Sequence, residues 1–138
     1  MSQENVELVR QGFHALRVGD IEAFLSFFPT DVVWHPFVEW PDDPVYRGYD
    51  GWRKLIAAWT DNFEDWGVDV REIRAAGTRV VALTEMIGQI KGSGVPIRQP
   101  MGAVFSEIHE NTAGENTAGE VHFFLTWLEA LKAAGLEE

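Results

Sequence analysis

Cysteine is absent from this 138-residue chain, which excludes disulfides, thiolate nucleophiles and Cys-ligated zinc. Basic residues are scarce: 11 Lys and Arg stand against 22 Asp and Glu, a formal net charge of −11. That balance repels phosphate backbones and anionic headgroups, so neither nucleic acid nor membrane is expected as a partner. No apolar run approaches the roughly 20 residues of a membrane-spanning helix. The opening Met-Ser-Gln-Glu-Asn-Val-Glu lacks the basic start and apolar stretch of a secretory leader, so the expected location is the cytoplasm. What the chain does have is apolar mass. Six Trp and nine Phe within a hydrophobic fraction of 46% fit one folded domain, residues 1–138, around one core.

Helical periodicity comes first. Val6, Val9, Phe13 and Leu16 recur at spacings of three and four, with Glu4 and Glu7 in the opening turns, where the helix dipole favours acids. His14 lies beside that stripe as a boundary residue. Gly19 ends the helix, and Asp20 is positioned to cap a second, whose apolar face is Ile21, Phe24, Leu25 and Phe28 before Pro29. A short strand, Asp31–His35, follows and should stop at Pro36, which cannot donate to a ladder. A Pro- and Asp-rich loop, Glu39–Pro44, leads towards a third helix capped by Asp50. Its stripe is Trp52, Leu55, Ile56, Trp59 and Phe63.

From Gly67 onward the period changes to that of strands. Val68–Ala76, Arg79–Lys91, Val95–His109 and Val121–Trp127 read as an antiparallel meander, with a closing helix over Leu128–Leu136. Pro96 and Pro100 suit an edge or a bulge. The pentapeptide Asn-Thr-Ala-Gly-Glu occurs twice in tandem, at 111–115 and 116–120, and reads as a hairpin tip lengthened by duplication. In the second long strand Val80, Ala82 and Met86 alternate with Val81, Leu83, Glu85 and Ile87. A sheet apolar on both sides needs two covers, and a second subunit is the expected outer one. The segregation of helices and strands means α+β.

This order of elements resembles the SnoaL-like branch of the nuclear transport factor 2-like, ketosteroid isomerase-like superfamily. The resemblance rests on Val18-Gly-Asp-Ile-Glu-Ala23, Asp31-Val-Val-Trp-His-Pro36, Tyr46-Arg-Gly48, Gly92-Ser-Gly-Val-Pro96 and the closing stretch Phe123–Leu136. It implies a cone: a strongly curved, mostly antiparallel sheet wrapped around helices and enclosing an apolar pocket. It also implies a homodimer through the convex sheet face. The superfamily hosts isomerases, cyclases, dehydratases, epoxide hydrolases and non-catalytic binding domains, so fold alone does not name an activity.

Ketosteroid isomerases carry an Asp-Pro-Phe where this chain has His35-Pro36-Phe37, so the resemblance puts His35 at the general-base position, with Val33 on its face. An imidazole suits proton abstraction near neutral pH. The oxyanion donors of those isomerases are missing: the tyrosine position falls on Gly12 and the acid position near Val104. SnoaL-type cyclases use a late-strand aspartate where this chain has Thr126, and no Asp-Arg-Asp set of the epoxide-hydrolase kind is found. The expected ligand site is therefore Val33, His35, Tyr46, Trp59, Phe63, Met86, His122, Phe124 and Thr126, with His35 the catalytic candidate. The plain alternative is a structural histidine bonded to backbone, Asp42 or Asp43. His109 and His122 flank one hairpin near Glu107 and Glu120 but lack a ligand-type spacing, so neither a metal nor another cofactor is expected. Three functions remain open: a binder of a small, largely apolar molecule, an isomerase, cyclase or dehydratase working through His35, and a dimeric interaction module.

Overall fold

The structure is a computed structural model, and it describes residues 2–37 and 45–136; the Glu39–Pro44 loop, with Asp42 and Asp43, lies outside the described residues. Helix α1 (Ser2–Arg17) buries Asn5, Val9, Gly12 and Ala15, one residue per turn. Helix α2 (Ile21–Leu25) starts as expected, with the Asp20 carboxylate accepting from the Ala23 N–H at 3.2 Å. Strand β1 is only Val33–His35, and β2 is Tyr46–Arg47. Helix α3 (Gly48–Thr60) begins two residues before the expected Asp50 cap. Gly48 takes φ +71°, a conformation open to glycine at little cost, and donates its N–H to the Val32 carbonyl at 2.7 Å. Asp50 instead sits in the first turn and accepts from Arg53.

Strands β3 (Phe63–Ala76), β4 (Arg79–Ile90), β5 (Pro96–Glu110) and β6 (Asn116–Phe124) form the long meander, and α4 (Trp127–Ala133) closes the chain. Phe63 is corrected from the third helix to β3, where it pairs with Ile90. The single mixed sheet runs β2-β1-β6-β5-β4-β3, with β1 parallel to β6 and every other pair antiparallel. Two register shifts in β3, between Glu64 and Gly67 and between Val70 and Glu72, bend and twist that strand. Pro96 and Pro100 lie where β5 pairs only with β4, because β6 reaches no further than Gly102. Both prolines are thus at an edge, as their missing N–H requires.

The tandem pentapeptide divides. Its first copy makes the turn, and its second copy is strand, pairing residues 116–118 and 120 with β5. The expectation that both copies form a loop tip is therefore corrected. Thr117 and Ala118 of the second copy are buried, and side-chain packing settles a choice that identical local sequence leaves open.

Helices α1, α2 and α3 cover the concave face of the sheet. The core there holds Phe24, Phe28, Trp34, Trp52, Trp59 and Phe105, together with Val80, Ala82 and Met86 of β4. On the convex face Val81, Leu83 and Val104 pack against Ala130 and Leu131 of α4 and against Ala134, its C-cap. The Trp127 indole N–H reinforces that seat by donating to the Thr84 carbonyl at 2.8 Å. The outer cover expected from a second subunit is thus supplied, over these residues, by the chain's own last helix. Beyond α4 the convex face is charged: Glu85 accepts from Arg71 at 2.6 Å and from Arg98 at 2.8 Å. The Arg71 hydrogen bond, helped by Arg98, holds the Glu85 carboxyl below its usual pKa. Among the described residues, no helix is long and apolar enough to cross a membrane.

Candidate functional site

The concave face encloses an inner cavity of about 40 Å³, lined almost wholly by apolar atoms. Space of that size holds a few waters, well short of the 300 Å³ or more usual for ligand sites. An outer cleft of about 350 Å³ adjoins it and shares Phe13, Leu16, Trp52, Ile56, Trp66 and Val68 as walls. Among the described residues no ionisable side chain lines the inner cavity, and the outer cleft adds Arg17 and Asp69. The walls follow from periodicity: α1 and α3 present residues three and four apart, and β3 presents alternate residues to the same side.

One wall residue is chemically unusual. The Trp66 Nε1 is buried without a hydrogen-bond partner, the one such side-chain atom among the described residues. A buried indole N–H ordinarily finds an acceptor, because leaving it unmade costs about 1–3 kcal/mol. Trp66 lies within the first irregularity of β3, beside Asp65 with its positive φ of 53°.

A second cluster stands on the convex face. Strand register aligns His35 with His122, His122 with Val104 and Val104 with Val81, so both histidines face away from the cone. Their rings stack in parallel, centroids 3.9 Å apart and planes 2° apart. The Glu120 Oε1 lies 3.0 Å from Nε2 of His35 and 3.6 Å from Nε2 of His122. Burial, then the neighbouring His35, lowers the His122 pKa below its ordinary value against the opposing pull of Glu120. An open groove of about 530 Å³ runs beside this cluster, with Arg79, Ser106, His109, Glu120 and His122 among its walls.

The model of the SnoaL-like domain family matches residues 9–115, most of the chain. The chain belongs to the SnoaL-like domain family. Solved structures of the same ketosteroid isomerase-like, nuclear transport factor 2-like fold agree. TerC, co-crystallised with polyporic acid, is 17% identical with a TM-score of 0.71, covering 96% of this chain and 98% of that one. A nuclear transport factor 2-like protein of unknown function from Burkholderia pseudomallei is 19% identical, with a TM-score of 0.70 and coverage of 94% and 95%. A ketosteroid isomerase-like protein from Catenulispora acidiphila, in complex with trimethylamine, is 18% identical, with a TM-score of 0.66 and coverage of 94% and 93%. None of the curated proteins matches the sequence.

Within the SnoaL-like fold the expected site residues separate. Trp59 lines the inner cavity, as read from the sequence. Tyr46, Phe63 and Met86 belong to the concave-side core without lining either space. Val33, His35, His122 and Phe124 are corrected to the convex face, and it is Trp34, Val121 and Phe123 that turn inward. The inversion has a simple origin. Side chains alternate along a strand, so reading β1 and β6 one residue out of phase flips every residue to the other side. Gly12 does line the inner cavity, whereas Val104 is convex and its neighbours Ala103 and Phe105 join the concave core. His122 pairs with His35 rather than with His109, which bonds Glu107 at 3.1 Å.

Thr126 proves to be a cap. It is the N-cap of α4, its hydroxyl oxygen accepting from the Glu129 N–H at 3.1 Å. Thr126→Ala should therefore lower stability by about 1 kcal/mol, measured by urea denaturation. A loss indistinguishable from zero would remove the capping role. Trp66 is the wall residue that sequence reading does not single out, and Glu120, weighed there beside His109 and His122, instead meets His35 and His122. One is marked only by a missing partner and the other by a cross-strand neighbour, and both are tertiary facts.

Proposed function

We propose that this SnoaL-like chain binds a small, largely apolar molecule carrying one hydrogen-bond acceptor, seated between α1, α3 and β3. The observation that carries the reading is the unpartnered Trp66 N–H in a wall of aromatic and aliphatic side chains. The apolar walls supply affinity through surface removed from water, and the single donor fixes orientation. Two neighbours of the same fold are described with small organic molecules, TerC with polyporic acid and the Catenulispora acidiphila protein with trimethylamine, which supports a small-molecule reading. Acid–base work by His35 inside the cone finds no support, because His35 is on the other side of the sheet.

A panel of aryl ketones and quinones, titrated against tryptophan fluorescence, tests the reading. At least one member should quench saturably, and Trp66→Phe, which keeps the ring and removes the donor, should weaken it. The expected loss is roughly two- to tenfold, the value of one net hydrogen bond. Equal affinity in both proteins, or no saturable member, overturns it.

A further inference from the structure

The convex cluster is independent of the cone and has its own chemistry. We propose that His35, Glu120 and His122 together bind a divalent transition-metal ion of the zinc class, leaving coordination positions open towards the adjoining groove.

The case is geometric. Two neighbouring strands deliver the three side chains to one face: His35 is the register partner of His122, and Glu120 lies two residues before His122 on the same strand. One ligand atom from each residue falls within 4.8 Å of the others. The separations of 3.0 and 3.6 Å between the carboxylate oxygen and the two Nε2 atoms bracket the ligand–ligand edge of a tetrahedral site. With bonds of about 2.0–2.1 Å that edge is roughly 3.3 Å. The two imidazoles stack face to face, so each ring must rotate about its side-chain bonds to bring both nitrogens onto one ion. Side-chain exposures of 26% and 39% for His35 and His122 leave room for that rotation.

The donor set selects the metal. Two imidazoles and a carboxylate suit zinc and its neighbours, whereas calcium and magnesium prefer all-oxygen shells. Three protein ligands leave at least one position for water or another small ligand, and the groove gives it access. A strand scaffold also holds ligands more tightly than a loop would. Glu120 closes the second copy of the tandem pentapeptide, so the strand that copy forms is what carries the carboxylate to the histidines.

The test uses the untagged full chain, stripped with chelator and titrated with Co²⁺, then with Zn²⁺ in competition. One ion per chain is expected, with the ligand-field absorption of nitrogen- and oxygen-bound cobalt. His35→Gln and His122→Gln should each weaken binding by more than about tenfold, since even outer-shell partners of metal ligands are worth 10–100-fold. His14→Gln on α1 should leave it unchanged. In the unaltered chain, Zn²⁺ should shift the imidazole NMR signals of His35 and His122 and leave those of His14 in place, which reads the site without any substitution. Absence of stoichiometric binding, which would leave only a hydrogen bond between His35 and Glu120, overturns the proposal. So does binding that survives both substitutions or that is lost with His109→Gln instead.

Discussion

Gly102→Ala lowers stability by about 1–3 kcal/mol, the usual cost of overpacking a filled core. A Cβ placed on Gly102 would come within 2.3 Å of the Ala130 Cβ, a separation at which something must shift. Ala130 is fully buried on the sheet-facing side of α4 and its side chain is a single methyl, so it has no flexible end that could yield. The helix must therefore lift from Val81 and Val104, exposing apolar surface. The change also works against a small opposite effect, since replacing glycine by alanine ordinarily stabilises by about 0.4–1 kcal/mol through the unfolded chain. The control is the compensating pair. Ala130→Gly alone should cost about 1 kcal/mol in helix propensity, yet Gly102→Ala with Ala130→Gly should be more stable than the two separate losses sum to. A coupling of 0.5–3 kcal/mol is typical for residues in contact. Urea denaturation of the four proteins gives the cycle, and strict additivity would show that α4 does not rest on Gly102.

Trp34→Ala is the more damaging change, with an expected loss of about 3–5 kcal/mol. Trp34 is 1% exposed, and its ring lies 4.7 Å from that of Phe28 and 6.4 Å from that of Phe24. Its indole N–H donates to the Gly48 carbonyl at 3.0 Å, tying β1 to the first residue of α3. Truncation opens a cavity in the concave core and also removes the indole hydrogen bond to that carbonyl. Against a total of about 5–15 kcal/mol for an ordinary domain, the loss is a large share. Trp34→Phe should fall between wild type and Trp34→Ala, because it keeps most of the ring and removes the hydrogen bond. Denaturant midpoints for the three proteins decide it. A loss under about 1 kcal/mol for Trp34→Ala would mean that the core closes over the gap.

Where sequence reading succeeded, a long pattern averaged over many residues. The α1–α2 hairpin was legible from its apolar spacing and the Asp20 cap, and the two faces of β4 from twelve residues of strand. The family was legible from motif order. Failures cluster where the pattern is short. Strand β1 has three residues, with Val33 and Trp34 both apolar, so alternation alone could not say which side is inside. The choice fell on His35, an ionisable residue before a proline, and the bulk of Trp34 outweighed it in the fold. Phe63 extended the helical stripe of α3 by simple counting, but strand pairing with Ile90 claimed it. The seat of the last helix on the convex face is likewise hard to read from sequence, because the helix is short and its buried alanines are small. At the candidate sites, a missing hydrogen bond at Trp66 and the meeting of His35 with Glu120 across two strands have no signature in composition or spacing.

The tandem pentapeptide has an inherited consequence. Because the two copies are identical, loss of either would leave one and the same shorter sequence, and the surviving copy would have to serve in both places. It cannot serve equally well. As a turn, the first copy places Gly114 at φ +80°, a backbone setting hostile to other residues. As a strand, the second packs Gly119 against Glu107, with its would-be Cβ 3.2 Å from the Glu107 carbonyl oxygen, and buries Ala118 beneath Phe27, whose carbonyl accepts the Ala118 N–H. Repetition has thus divided one job into two. The first copy is held to account only by its turn, while the second answers to the neighbours on both sides of its strand. Equal letters in this chain are under unequal constraint, and the two copies are free to drift apart at different rates.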